Sequence, residues 1–264
     1  MAVRDLVFAG QNLRLDDAEG TDLVITELLA GRFETPLPLL LMAIVDQVGG
    51  SFLDVGANSG IYTVLAGLIR RDIGLHAFEP NPPAVEAFKK NIGLNGLDDR
   101  VVLHTMALSD KKGTFTLYSP DQGHGLLESG ASLQPAFDVI GEEIPVAVDT
   151  LDSLGLEGIG VVKVDIETHE PAFFRGAMNT LKRSRPVIFF EVLPPADMAA
   201  LNAIKNELGF RHFRIRPDCV IETETIGFDY AGWNHALVPP DRYEAFSWCC
   251  VRHNLEMLRK MVMV

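Results

Sequence analysis

Cysteine is scarce in this chain, and long apolar runs are absent. Three cysteines occur among 264 residues, Cys219, Cys249 and Cys250, and two of them are adjacent. That number and spacing predict no disulfide framework, so we expect a reducing, cytoplasmic compartment. No stretch reaches the roughly 18 uncharged apolar residues that a membrane-spanning helix needs. Arg4 and Asp5 interrupt the N-terminal apolar run, so we expect no secretory signal either.

Positive charge is also in short supply. The chain has 23 Lys and Arg against 36 Asp and Glu, a formal net charge of -13. Nucleic acids and anionic membranes both attract clustered Lys and Arg, so neither is expected as the main partner. A small molecule is the expected partner. The 47% apolar content is enough for one large globular core.

The usual phosphate-binding motifs are missing from a stretch that partly resembles them. Residues 52–60 read FLDVGANSG, an apolar strand followed by two glycines four positions apart. A P-loop requires Lys and then Ser or Thr after its second glycine, but Ile61 follows Gly60. A dinucleotide fingerprint requires G-x-G-x-x-G, and Asn58 stands where its middle glycine would be. Nucleoside triphosphates and NAD are therefore disfavoured as ligands.

Strand-like and helix-like patterns alternate from about residue 51 to 193, which predicts an α/β fold with a parallel sheet. We expect residues 1–50 to form a preamble that packs on the core, and residues 51–264 to form one domain. A glycine-dotted loop at about 119–135 has the length of a functional loop. The predicted core strands are SFLDVG, LHAFEP, RVVLHTMAL, VVKVDIE and PVIFFEVL.

Four acids end four of these strands: Asp54, Glu79, Asp165 and Glu191. In an open α/β sheet such ends meet along one rim, where ligands bind. Any one acid serves equally well as a helix cap, but four of them beside a glycine turn predict a site. Glu79 lies 25 positions after Asp54, one strand-helix-strand step, which suits a carboxylate that binds ribose hydroxyls. A ligand with a ribose, an amine and no phosphate fits, and S-adenosylmethionine is such a ligand.

Five segments together resemble the FkbM family of S-adenosylmethionine-dependent methyltransferases: FLDVGANSGIYT, HAFEPNPPAVEAFKKNIGLN, ALSDKKGTFTLY, VDTLDSL and VVKVDIETHEPAFFRGA. The resemblance is strong over residues 52–193 and weaker on either side. It implies a Rossmann-like class I methyltransferase fold, with a mostly parallel seven-stranded sheet, one antiparallel strand and helices on both faces. It also implies O-methylation of a hydroxyl, often on a sugar or a natural-product scaffold.

The resemblance also implies a cofactor site. Its residues would be Asp54, Gly56, Asn58 and Gly60 at the methionine side, Glu79 at the ribose, Met106 and Ala107 at the adenine, and Asp165 nearby. One residue departs from the family pattern D-x-E-G-x-E, because Thr168 stands where glycine is usual. Because Thr168 carries a β-carbon where the family usually has none, the resemblance leaves the identity of the substrate open.

Methyl transfer to an alcohol needs an in-line arrangement and a base that removes the hydroxyl proton. We place that base among Asp165, His169 and Glu191 and favour His169, whose ordinary pKa lies near 6.5, with Asp165 orienting it. The alternative is a surface histidine that precedes a helix. His124, Ser132 and Glu167 are the candidate acceptor-binding residues, although loop composition alone also explains the first two.

Two further alternatives remain open from the sequence. The acids and His169 suit a divalent cation such as magnesium, manganese or zinc, but no paired-histidine spacing is present, and a metal-free site is favoured. A methyltransferase-like domain that binds without turnover is the main alternative function, and a Rossmann oxidoreductase is a more remote one. The intact glycine turn and Glu79 favour the enzyme.

Overall fold

The protein has an α/β fold, which a computed structural model describes for residues 3–17, 23–120, 131–134 and 140–259. Its strands are β1 Val3–Phe8, β2 Gln11–Asp16, β3 Ser51–Val55, β4 Leu75–Phe78, β5 Val101–His104, β6 Ala107–Leu108, β7 Gly113–Pro120, β8 Ile140–Asp149, β9 Ile159–Val164, β10 Val187–Glu191, β11 Arg211–Ile215, β12 Cys219–Thr223, β13 Asn234–Val238 and β14 Glu256–Arg259. Its helices are α1 Leu23–Leu29, α2 Leu37–Val48, α3 Ile61–Ile69, α4 Pro82–Leu94, α5 Glu170–Ser184, α6 Met198–Leu208 and α7 Tyr243–Arg252.

A large, mostly parallel sheet forms the centre of the molecule, in the order β14-β12-β11-β13-β10-β9-β3-β4-β5. Strands β5, β4, β3, β9 and β10 run parallel, and β13 is antiparallel to both of its neighbours. Strand order reverses between β3 and β9, which is the position where doubly wound sheets bind ligands. The predicted fold class is confirmed.

The sheet is larger than predicted, because the described residues contain nine strands in it rather than seven. The additional strands, β12 and β14, lie at one edge. The sequence RYEAFSWCCVRHNLEMLRK, residues 242–260, predicts one closing helix, but α7 ends at Arg252 and Asn254 has a φ of +56°. A residue in that left-handed conformation ends the helix and releases the chain into an edge strand.

The central strands read as continuous apolar runs because helices cover both of their faces. Every residue of β9 is buried, and β10 is buried up to its last residue. One face packs against α2 and α7, which contribute residues such as Leu41 and Phe246. The other face packs against α5 and α6, which contribute residues such as Phe173 and Leu201. This double cover holds the carboxyl ends of the strands at one rim.

A second sheet of three strands, in the order β6-β8-β7, follows the third core strand. The sequence predicted one strand over RVVLHTMAL, but the chain splits there into β5 and β6, which belong to different sheets. Ser132 pairs with Tyr118 beside this sheet. His124 and most of the loop predicted at 119–135 lie outside the described residues.

The N-terminal segment shares hydrophobic clusters with the rest of the chain. Leu13 and Leu15 of β2 pack in one cluster with Phe88 of α4, and α2 contributes to the cluster beneath β9 and β10. Within the described ranges, no helix combines the length and the apolar character needed to cross a bilayer.

Candidate active site

The glycine turn after β3 crosses the end of β9 at very short distance. Gly56 has a φ of +80°, and a β-carbon on it would lie 1.8 Å from the carbonyl oxygen of Asp165. Gly60 has a φ of +86°, and a β-carbon there would lie 2.7 Å from the ring of Phe88. Both positions therefore need glycine for conformation and for space. The turn between them is held against the neighbouring strand and helix.

Glu79 directly follows β4, and its carboxylate is held between two loops. Its oxygens accept hydrogen bonds from the backbone amides of Asn58 and Asn81, both at 2.8 Å. Burial raises the pKa of Glu79 to about 7, and the two amides oppose that rise. The carboxylate is thus fixed in direction before any ligand arrives.

A cleft with about 1090 Å³ of empty space, its open mouth included, lies over this rim. Its apolar lining includes Phe78, Met106, Ala107, Leu108, Leu117, Leu133 and Ile166, and its polar lining includes Asn58, Glu79, Asn81, Asp165, Glu167 and His169. Among the described residues, no Lys or Arg lines the cleft. Such a lining suits a ligand with a flat apolar part and hydroxyl or cationic groups, and it offers no partner to a phosphate.

Asp165 stands at the cleft wall, paired with a buried lysine that the sequence reading missed. Lys163 of β9 is 1% exposed, and its Nζ donates to Oδ2 of Asp165 at 3.0 Å. The same Nζ lies 3.7 Å from Oε2 of Glu34 and 5.1 Å from the centre of the Tyr62 ring. The hydroxyl of Tyr62 donates to Glu34 at 2.8 Å. A single lysine inside an apolar strand run was the signal available in the sequence.

Glu167 and Thr168 form the turn after Asp165, and both have positive φ angles, +52° and +74°. Their carbonyl oxygens accept hydrogen bonds from the side chains of Ser132 at 2.7 Å and Gln134 at 3.2 Å. Glu167 lines the cleft, and burial raises its pKa to about 7. Ser132, predicted to touch the acceptor, instead donates its hydroxyl to this turn.

His169 is buried at the cleft and precedes α5. Its Nε2 lies 2.9 Å from Oγ of Ser109, and its Nδ1 has no hydrogen-bond partner among the described residues. Burial lowers its pKa, so the ring is neutral at pH 7. Ser109, rather than the predicted Asp165, is the side chain that orients this ring. A neutral imidazole with one nitrogen that has no hydrogen-bond partner among the described residues is able to accept a proton.

Among the described residues, the structure brings eight predicted site residues together and leaves four apart, one of which is Ser132. Gly56, Asn58, Glu79, Met106, Ala107, Asp165, Glu167 and His169 line the cleft. Asp54 lies buried behind the turn, where it accepts from the Thr63 hydroxyl at 2.6 Å, and burial raises its pKa to about 6. Gly60 faces Phe88, and Glu191 ends β10, where burial raises its pKa to about 9.

A metal site is not formed by the side chains that the structure describes, since no three His, Cys, Asp or Glu residues among them group around a common point. A metal-free reaction therefore stays a prediction. Sequence reasoning missed Asn81 and Ser109 as well as the lysine. Asn81 contributes a backbone amide, which any residue carries, and Ser109 meets its partner 60 positions away.

Comparisons with known proteins agree with this geometry. Residues 54–213 match the model of the Methyltransferase FkbM domain. The 2-O-methyltransferase NoeI of Sinorhizobium fredii is 27% identical over 160 residues, which cover 55% of this chain and 64% of that protein. The 31-O-demethyl-FK506 methyltransferase FkbM of Streptomyces tacrolimicus is 30% identical over 156 residues, which cover 48% of this chain and 59% of that protein.

A crystal structure of a methyltransferase FkbM from Methylobacillus flagellatus superposes with a TM-score of 0.49 at 13% identity, over 71% of this chain and 43% of that one. The chain spans about three fifths of the length of the two curated relatives. Because the family model covers more than half of its residues, the chain belongs to the FkbM methyltransferase family.

Proposed function

We propose that this protein transfers a methyl group from S-adenosylmethionine to a hydroxyl of a small molecule, a sugar or a natural-product scaffold. One observation carries the proposal: a buried, pre-oriented Glu79 carboxylate faces a cleft that has an apolar wall and, among the described residues, no cation for a phosphate. The names of both curated relatives assign them methyl transfer at an oxygen. That supports a hydroxyl as the acceptor here.

The residues of the cleft fit S-adenosylmethionine part by part. The Glu79 carboxylate would accept hydrogen bonds from the two ribose hydroxyls. Met106 and Ala107 belong to the apolar wall that would cover the adenine, and Gly56 and Asn58 line the cleft at the methionine side. The Asp165 carboxylate would pair with the amine. When bound, the cofactor supplies a methyl group on a cationic sulfur.

This chain's own residues would position the acceptor and remove its proton. His169 is the proposed base because its Nδ1 lacks a hydrogen-bond partner among the described residues while Ser109 fixes the other ring nitrogen. Glu167 is the competing base, since it also lines the cleft with a pKa of about 7. His169→Ala should then lower kcat by about 10²–10⁴-fold with little change in cofactor affinity. A larger loss in Glu167→Gln than in His169→Ala would transfer the role to the carboxylate.

Thermal unfolding with added ligands tests the cofactor. S-adenosylhomocysteine at 100 times its Kd should stabilise the fold by about 2.7 kcal/mol, and NADH should not shift the Tm. Glu79→Ala should lose most of that shift. Glu86→Ala is the matched control, because Glu86 is an exposed carboxylate on the neighbouring α4. A shift with NADH alone would contradict the cofactor class.

A transfer assay tests turnover. Tritiated S-adenosylmethionine should label at least one acceptor in a panel of sugars, hydroxy acids and polyketides. Tight cofactor binding without label in any acceptor would favour the methyltransferase-like binding domain. Activity that disappears with EDTA and returns with magnesium or manganese would replace the metal-free reaction with a metal-assisted one.

The three cysteines are buried and none forms a disulfide, which supports the predicted reducing, cytoplasmic compartment.

A further inference from the structure

The buried Lys163 connects the N-terminal segment to the cleft. Lys163 lies in the all-buried strand β9, and its Nζ is within 4 Å of two carboxylates, Asp165 at 3.0 Å and Glu34 at 3.7 Å. Glu34 precedes α2 and lies outside residues 54–213, the part that the family model matches. Its carboxylate is held by the Tyr62 hydroxyl at 2.8 Å. A residue from the segment predicted to be a preamble therefore contacts the lysine that pairs with Asp165 at the cleft wall.

A buried ammonium is costly unless it is paired, and this one stands among an excess of acids. The titratable groups that face Lys163 are Asp165 at the end of β9, Glu34 before α2, Tyr62 on α3, Asp54 on β3 and Glu191 on β10. Glu167, on the turn after β9, also interacts with it. One cation cannot balance every carboxylate. Asp165 forms the shorter ion pair with the ammonium, at 3.0 Å, and Glu34 forms a longer one at 3.7 Å.

We propose that Lys163 and Glu34 are positioning residues that hold the Asp165 carboxylate in a fixed direction at the wall of the cofactor cleft. On this proposal the N-terminal segment is a functional part of the site, not only packing. The inference rests on the proposed function, because it takes the cleft to bind S-adenosylmethionine and its products. Asp165 itself is the residue that would touch the ligand, and the other two act through it.

The backbone makes this position sensitive to the pair. The Asp165 amide donates to the carbonyl of Val55 at 2.9 Å, and the Asp165 carbonyl occupies the space where a Gly56 β-carbon would lie. The side chain thus starts from a fixed point, and Lys163 decides its direction. Without the ammonium, the Asp165 carboxylate would lose the donor that holds it.

Isothermal titration with S-adenosylhomocysteine tests the inference without an acceptor. Lys163→Met should weaken binding about tenfold, and Lys163→Arg, which keeps a cationic donor beside Asp165, should recover part of that loss. Asp165→Asn should bind at least as weakly as Lys163→Met. The double variant should be no weaker than Asp165→Asn, because Lys163 acts through that carboxylate.

Glu34→Gln keeps the shape of the side chain and keeps the proposal testable if Lys163→Met fails to fold. It should weaken binding about threefold, and the effect should vanish in the Lys163→Met background. Glu27→Gln is the control, since Glu27 belongs to the same segment but pairs with Arg32 on the surface. Lys163→Arg binding as weakly as Lys163→Met, or additive losses in the double variants, would overturn the inference. Absence of binding by the unmodified protein would instead overturn the proposed cofactor.

Discussion

Thr168 shows how a single residue carries strain at the candidate site. It adopts a φ of +74°, a conformation that β-branched residues rarely take, and its buried hydroxyl has no partner among the described residues. The physical reason for the family's glycine here is that the turn with Glu167 needs two consecutive left-handed residues. Strain of this kind persists only where the surroundings impose it, and both carbonyls of the turn are tied to residues 131–134.

Replacing this threonine with glycine should therefore stabilise the protein. Thr168→Gly relieves the left-handed strain and should raise the free energy of unfolding by about 1 kcal/mol, as measured by urea denaturation. Thr168→Ala is the control, because it removes the unpartnered hydroxyl but keeps the β-carbon and its strain. If Thr168→Ala stabilises the protein as much as Thr168→Gly, the unpartnered hydroxyl rather than the backbone conformation is the source of the destabilisation. A destabilised Thr168→Gly would refute the assignment of strain.

At the level of elements, the site depends on how closely the turn between β3 and α3 crosses the end of β9. A β-carbon on Gly56 has no room, whereas one on Gly96, which also has a positive φ of +65°, meets no atom within 4 Å. Gly96→Ala should cost only the conformational strain, about 1–2 kcal/mol. Gly56→Ala should cost more and also abolish binding of S-adenosylhomocysteine. Equal losses of stability and intact binding in both variants would show that the crossing is not needed.

The same elements show what the sequence could and could not predict. Strands β3, β4, β9 and β10 and the helices α3 and α4 follow from local patterns, because apolar runs, Pro at a helix start and Gly at a turn act within a few residues. Strand β8 was missed because it contains Pro145 and two adjacent acids, Glu142 and Glu143, and its pairing with β7 depends on residues 20 to 35 positions earlier in the chain. The glycine turn and Glu79 were found by spacing.

The contacts that complete the site could not be found in this way. Lys163 was visible in the sequence, but its partner Glu34 lies about 130 positions earlier, and only the fold brings the two together. Ser109 and His169 meet for the same reason. Asp54 was predicted at the cofactor because it ends a strand, yet its carboxylate turns to Thr63. Strand ends predict which residues reach the rim, and packing decides which side chains face the cleft.

For the molecule as a whole, buried acids should make stability fall as pH rises. Burial raises the pKa of Glu170 to about 8, well above its ordinary value of 4.5. A carboxyl group whose pKa is higher in the folded chain than in the unfolded chain stabilises the fold fully below about pH 4.5. That stabilisation is lost as the pH rises to about 8. Glu79, with a pKa of about 7, acts in the same direction. For each such group, the free energy of unfolding falls by up to about 1.4 kcal/mol per pH unit.

Urea denaturation at pH 5, 6, 7 and 8 measures this alkaline decline. Glu170→Gln, which cannot ionise, should reduce the slope of unfolding free energy against pH by about one proton. Glu86→Gln should leave the slope unchanged, because Glu86 is exposed on α4. A slope in Glu170→Gln equal to that of the unmodified protein would mean that Glu170 is ionised in the folded state.

A pair of buried histidines should lower the free energy of unfolding at acidic pH. His212 and His235 lie on neighbouring strands with Nε2 and Nδ1 2.8 Å apart, and burial lowers their pKa values to about 2 and about 3. Histidines whose pKa is lower in the folded chain stabilise the fold above their unfolded pKa, near 6.5. That stabilisation is lost as the pH falls, because only the unfolded chain takes up the protons. Unfolding free energy should therefore pass through a maximum and decline below about pH 4.5, where the acids no longer offset the histidines. Glu170→Gln should retain that acid decline, and stability that keeps rising down to pH 3.5 would show that the pair is protonated in the fold.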